Sequence, residues 1–131
     1  MVDVLKKELT KDFDTAVDHI VKVIEDEGFT VMLTKSIDGI LKQKLGITGY
    51  PRYTTILVCG PELAKMALDA SVNVGLVFPC SFVVYEQDDK VFVSHISIMK
   101  MAKELGLASA EAMDPIIEIT SKKVGKAWEQ F

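Results

Sequence analysis

What this chain lacks narrows it first. No apolar run approaches the roughly 18 residues that span a bilayer, and the opening MVDVLKKELTKDF has no apolar stretch of the signal-peptide kind. A cytoplasmic protein with no membrane partner is expected. Positive charge is not in excess: 15 Lys and Arg stand against 19 Asp and Glu, a net charge of -4. Such a field repels phosphate backbones, so nucleic acid is not an expected partner. Cysteine is scarce. Cys59 and Cys80 are the only two, too far apart for a CxxC redox pair or half of a zinc ribbon, and in a reducing compartment both are expected as free thiols. Only His19 and His95 supply imidazoles, so no metal site and no cofactor are expected. The chain also has no Walker loop, nucleophile elbow, dinucleotide glycine motif or paired-carboxylate signature.

What is present has the composition of a folded domain: 49% hydrophobic and 26% charged residues over 131 positions, enough for one core and one domain, 1–131. A helix is predicted from Phe13 to Glu27, capped by Asp12 and ended by Gly28, with Phe13, Val17, Ile20, Val21 and Ile24 as its apolar stripe. Phe29, Val31 and Leu33 then alternate with Thr30, Met32 and Thr34 as a short strand. Helical spacing returns at Asp38 and stops at Gly46, and GITGYPRY reads as turn chemistry. Tyr53 to Cys59 is the next strand, and Pro61 opens a helix running to about Ala70. Val74 to Glu86 is apolar and β-rich, interrupted by Pro79. EQDDK turns the chain, and Val91 to Ile98 returns as the second arm of a hairpin. Ala110 to Phe131 reads as a long helix with Met113, Ile117, Val124 and Trp128 on its apolar face. This order predicts an α+β two-layer domain, with a four- to five-stranded mixed sheet packed against helices.

Four segments, EDEGFTVM at 25–32, IDGILKQKLG at 37–46, ILVCGPELAKMAL at 56–68 and VGLVFPCSFVVYEQDDKVFVS at 74–94, resemble the domain of unknown function 302 family, in the family's order. The resemblance implies a compact, dimeric α+β domain with no agreed biochemical activity. Cys59, Pro61 and Ala64 match its Cys-Asn-Pro and following alanine, but Gly60 stands where asparagine is usual. Pro79 and Cys80 match its Pro-Cys pair, while Ser81 replaces another usual asparagine. Asp38 and Lys44 match the pattern ahead of the Leu-Gly helix end, and Lys35 replaces an expected acid. Those departures put any shared ligand in doubt.

Two clusters carry candidate chemistry. Cys59 sits at a strand's end just before a helix begins, near unpaired amides and the positive end of a helix dipole, which favour thiolate; the plainer account is a small buried hydrophobe. If the hairpin closes symmetrically at Asp88 and Asp89, Phe82 faces His95, Glu86 faces Val91 and Cys80 faces Ser97. Cys80 and His95 then share one sheet face as diagonal neighbours. That is a minimal thiol-activating pair, or else a packed thiol beside a histidine bonded to a backbone carbonyl. Lys42, Lys44 and Arg52 form a basic cluster just ahead of the strand that leads to Gly60 and Pro61, a pattern suited to an anion or to a plain solvated face. His19, at the edge of the first helix's stripe, is expected at the surface, partly covered.

The expected function is a homodimeric binding module for a small anionic or polar ligand at Cys59, Gly60 and Pro61, with Lys44, Arg52 and Asp38 contributing. One alternative is a thiol-dependent redox or sulfur-transfer enzyme using Cys59 or Cys80, so enzyme status stays open. The other is a structural dimerisation domain without a site.

Overall fold

The computed structural model describes residues 2–131. Its strands are β1 (Leu5–Leu9), β2 (Thr30–Ser36), β3 (Tyr53–Cys59), β4 (Cys80–Gln87) and β5 (Lys90–His95). Its helices are α1 (Phe13–Asp26), α2 (Ile37–Leu45), α3 (Pro61–Ala70), α4 (Ile98–Glu104) and α5 (Ala110–Gln130), with a 3-10 segment at Val72–Val77. The five strands form one sheet in the order β1-β5-β4-β3-β2, and every pairing is antiparallel. The α+β architecture is as expected, but the sheet is not mixed: each connection between neighbouring strands returns the chain in the opposite sense.

The first two strands lie at opposite edges of the sheet, so α1 must cross its full width. Fourteen residues at 1.5 Å each make a rod of about 21 Å. Five strands about 4.8 Å apart need about 19 Å. The lengths match, and α1 turns Phe13, Ala16, Ile20, Val23 and Ile24 inward. They meet the alternate residues Ile56, Val58, Phe82, Val84 and Val93, none more than 1% exposed. Asp12 caps α1 by accepting from the Thr15 N–H at 2.9 Å, and Gly28 leaves it with φ +89, a conformation open to glycine.

Tight turns set the register of the hairpin. Asp88 and Asp89 take φ 53 and 60, the paired positive angles of a turn that suits the twist of two strands. Phe82 faces His95 and Glu86 faces Val91, the register expected from sequence. That arm ends at His95, however, and Cys80 pairs with Val58 on β3 instead of Ser97. Ser97 has become the N-cap of α4, its Oγ accepting from the Lys100 N–H. Ahead of the hairpin, the apolar segment from Val74 forms the 3-10 turns and passes through a cis Phe78–Pro79 bond before β4 begins at Cys80.

Two elements change the apolar bookkeeping. A bulge in β2 between Val31 and Leu33 breaks the alternation: Val31 pairs with the buried Val58, while Leu33 pairs with Leu57 on the other face and is 49% exposed. In α5 the buried side is Met113, Ile116, Thr120, Val124 and Ala127, rotated slightly from the predicted face, so Ile117 and Trp128 are only partly covered.

Candidate functional site

Where β3 ends and α3 begins, the chain forms a half-open cavity of about 220 Å³. It is built because strand and helix must part there. Val58 is the last core residue of β3, Cys59 ends the strand, and Gly60 turns the chain with φ -98 and ψ 100 before Pro61 takes the first helical position. A Cβ at Gly60 would lie 3.3 Å from both Leu63 Cδ1 and Phe29 Cε1. Glycine therefore lets the backbone run close against two walls of the cavity. Among the described residues no side chain caps α3. Its first intrahelical acceptor is the Gly60 carbonyl, bonded by the Ala64 N–H at 2.8 Å, so the Glu62 and Leu63 amides precede the ladder.

Four of the residues singled out from sequence come together here: Cys59, Gly60, Cys80 and His95 all line the cavity. The rest of its wall is mainly apolar, including Phe29, Leu63, Phe78 and Met99, with Ser97 and Thr120 at one side. A second cavity, also about 220 Å³, lies behind that side; His95, Ser97 and Thr120 line both, and Lys100, Ser121 and Trp128 belong to the second alone. Thr120 satisfies itself, its hydroxyl donating to the Ile116 carbonyl at 2.8 Å.

The thiol and imidazole are neighbours without being a couple. His95 Nδ1 bonds the Ser81 carbonyl at 2.8 Å, and the ring stacks on Phe82 with centroids 4.1 Å apart. Burial lowers the His95 pKa, against a smaller opposing effect of the Ser81 bond. Burial also pushes the Cys80 thiol up to about 12, with Cys59 nearby adding to the rise and the Ser81 backbone bond opposing it. A thiol held protonated in this way is a poor nucleophile at neutral pH. Of the two sequence readings, the bond from His95 to a backbone carbonyl is the feature the plainer one expects.

Asp38, Lys44, Arg52 and Pro61 do not line the cavity. Pro61 is exposed on the first turn of α3. Arg52 precedes β3 at the end away from Cys59; the seven residue steps between them, at about 3.3 Å each, span about 23 Å. Its guanidinium is already used, 2.7 Å from the Asp14 carboxylate and over the Phe13 ring at 4.2 Å. Asp38 accepts from the Tyr53 N–H and the Ser36 hydroxyl, each at 2.9 Å. Burial would raise its pKa, but those bonds and the Arg52 charge together hold it lowered. Lys44 is exposed near the end of α2. His19 is partly covered as expected, its Nε2 2.7 Å from the Gln130 carbonyl.

Sequence reasoning missed the opposite wall, Met99 and Ser97 on or beside α4 and Thr120 on α5. Thr120 did carry a signal, as the one polar residue in the stripe Met113, Ile116, Thr120, Val124. Among the described residues no three His, Cys, Asp or Glu side chains converge in a manner suited to a metal, and no helix is long and apolar enough to cross a membrane.

Comparison with known proteins agrees with the architecture. No curated protein matches the chain. Among solved structures, an uncharacterised conserved DUF302 protein from Bacillus stearothermophilus superposes with a TM-score of 0.85 at 18% identity, covering 97% of this chain and 96% of its own. At that identity the likeness establishes the fold alone. The family model described as domain of unknown function DUF302 matches residues 5–129, nearly the whole folded unit, and the chain accordingly belongs to the DUF302 family.

Proposed function

We propose that this domain is a homodimeric binding module that holds one small ligand, apolar in body and polar at one end, in the cavity at Cys59 and Gly60. The observation that carries the reading is the cavity itself. It lies at the strand-to-helix corner, has mainly apolar walls, and has a buried imidazole among its lining side chains. Pockets for small molecules typically combine an apolar lining with a few convergent polar groups. Charge from Lys44 or Arg52 is not needed for this reading, and Arg52 serves Asp14 instead. Thiol chemistry at Cys80 is disfavoured by the raised pKa.

Self-association is supported by the sheet face turned away from the helices. Leu33 is 49% exposed there, and Tyr53, Tyr85 and Phe92 stack across three strands with centroid separations of 5.8 and 5.7 Å. Sedimentation equilibrium tests this half: a monomer at tens of micromolar removes the dimer. Thermal denaturation with phenol, indole, hexanoate and inorganic phosphate tests the other. A ligand present at a hundred times its Kd adds about 2.7 kcal/mol, readily seen as a higher Tm. Ala64→Leu, which fills a half-buried wall position, should abolish the shift. No shift with any apolar-bodied compound, or a shift unchanged in Ala64→Leu, removes the binding reading.

A further inference from the structure

His95 is only 5% exposed, yet among the described residues one of its two ring nitrogens has no hydrogen-bond partner. Nδ1 faces the Ser81 carbonyl at 2.8 Å. A carbonyl oxygen only accepts, so Nδ1 carries the proton and Nε2 the lone pair. Burial favours the neutral ring, and Phe82 stacked on its face fixes the plane. Among the described residues Nε2 makes no hydrogen bond, and no sealed side-chain nitrogen or oxygen is left unpartnered. Nε2 therefore opens onto free space, and the space this ring borders is the pair of cavities.

Of the two, the one at Cys59 and Gly60 has the apolar walls, and an acceptor at its edge chooses by what it can pair with. A carboxylate or phosphate brings further lone pairs and a charge that the apolar walls cannot solvate. An ammonium brings a donor but also an unpaired charge. A hydroxyl on an apolar body brings the donor without a charge, its own lone pairs being those of a weak neutral acceptor. Size narrows the choice further: a dry cavity of 150 Å³ suffices for benzene, and about 220 Å³ leaves room for a ring with a substituent.

We propose that the cavity takes a neutral, hydroxyl-bearing small molecule of the phenol class, its O–H donated to His95 Nε2 and its ring held by Phe29, Leu63 and Met99. This rests on the cavity being a ligand site and adds the group that selects the ligand. It departs from the anionic ligand suggested by Lys44 and Arg52, neither of which reaches this space.

Calorimetric titration of the full chain with phenol, fluorobenzene and benzoate tests it. Fluorobenzene keeps the ring and lacks the donor; benzoate has the ring and a charge. Phenol should bind at least about tenfold more tightly than fluorobenzene, since one buried hydrogen bond is made or left unmade, and benzoate should bind most weakly. His95→Phe should erase the preference for phenol. Because that variant is able to fail by misfolding, the unaltered protein with 15N-labelled histidine supplies a second readout: the Nε2 resonance of His95 should move with phenol and not with fluorobenzene. Equal affinity for phenol and fluorobenzene, or an unmoved Nε2 resonance, overturns selection by His95 and leaves the cavity as a site. Failure of both rings to bind overturns the cavity as a site too.

Discussion

Alkylation of Cys80 reads the interior of the candidate site without any ligand. The thiolate attacks the iodoacetamide carbon and displaces iodide, so the rate follows the ionised fraction as well as access. The ordinary thiol value of 9.0 is pushed to about 12 by burial, a change of about three units. At pH 8 that lowers the thiolate fraction, and hence the labelling rate, by about a thousandfold relative to the unfolded chain. Peptide mapping by mass spectrometry, with the protein native or in guanidinium, separates Cys80 from Cys59. The same group leaves a mark on stability. Its folded pKa lies above the unfolded one, so the stabilisation is complete below pH 9 and is lost as pH rises from about 9 towards about 12. The slope is about 1.4 kcal/mol per pH unit. Urea unfolding at pH 8, 9 and 10 should show little change from pH 8 to 9 and a loss approaching that slope from pH 9 to 10 in the native sequence, and the loss should be smaller in Cys80→Ser. Native labelling of Cys80 within tenfold of the unfolded rate would refute the reasoning and return thiol chemistry to consideration. An identical basic slope in Cys80→Ser would do the same.

Further expectations concern the rest of the fold. His95 has a lowered pKa, so its contribution to stability is present above about pH 6.5 and declines below it, by at most about 1.4 kcal/mol per pH unit; urea midpoints from pH 7 to 5.5 should show this for the native chain and not for His95→Phe. Phe82→Ala removes a ring with no exposure that supports the imidazole, and should cost about 3 to 5 kcal/mol in chemical denaturation. Arg52→Ala breaks an exposed pair with Asp14, should cost less than about 1 kcal/mol, and should leave phenol affinity within twofold; a tenfold loss would place the site at the other end of β3.

Legibility in the sequence followed how local each signal was. Tyr53–Cys59 and Pro61–Ala70 could be bounded to the residue, because strict alternation ends at a Gly-Pro pair that neither continues a strand nor lacks a use at a helix start. The hairpin register was equally readable, since two Asp residues suffice to fix the turn. The β1 strand, LKKEL, was not: its partner β5 lies more than 80 residues away, and only that pairing makes it a strand. The bulge at Met32 is silent in composition, yet it decides that Leu33 faces outwards. For the site, Cys80 and His95 were recognisable as neighbours from the hairpin register, and Cys59 and Gly60 separately from their strand end; the two clusters share one cavity because β3 pairs with β4. Lys44 and Arg52 misled because nearness in sequence is not nearness in space: every strand residue carries the chain about 3.3 Å further on, and a whole strand separates Arg52 from Gly60.

Crystals soaked with 4-bromophenol would test the central claim most directly, since bromine can be located by its anomalous scattering. The account predicts a bromine peak inside the cavity walled by Phe29, Leu63 and Met99, with the phenol oxygen within hydrogen-bond distance of His95 Nε2. Bromine found only on the outer surface, with that cavity filled by ordered water or by shifted side chains, would contradict it.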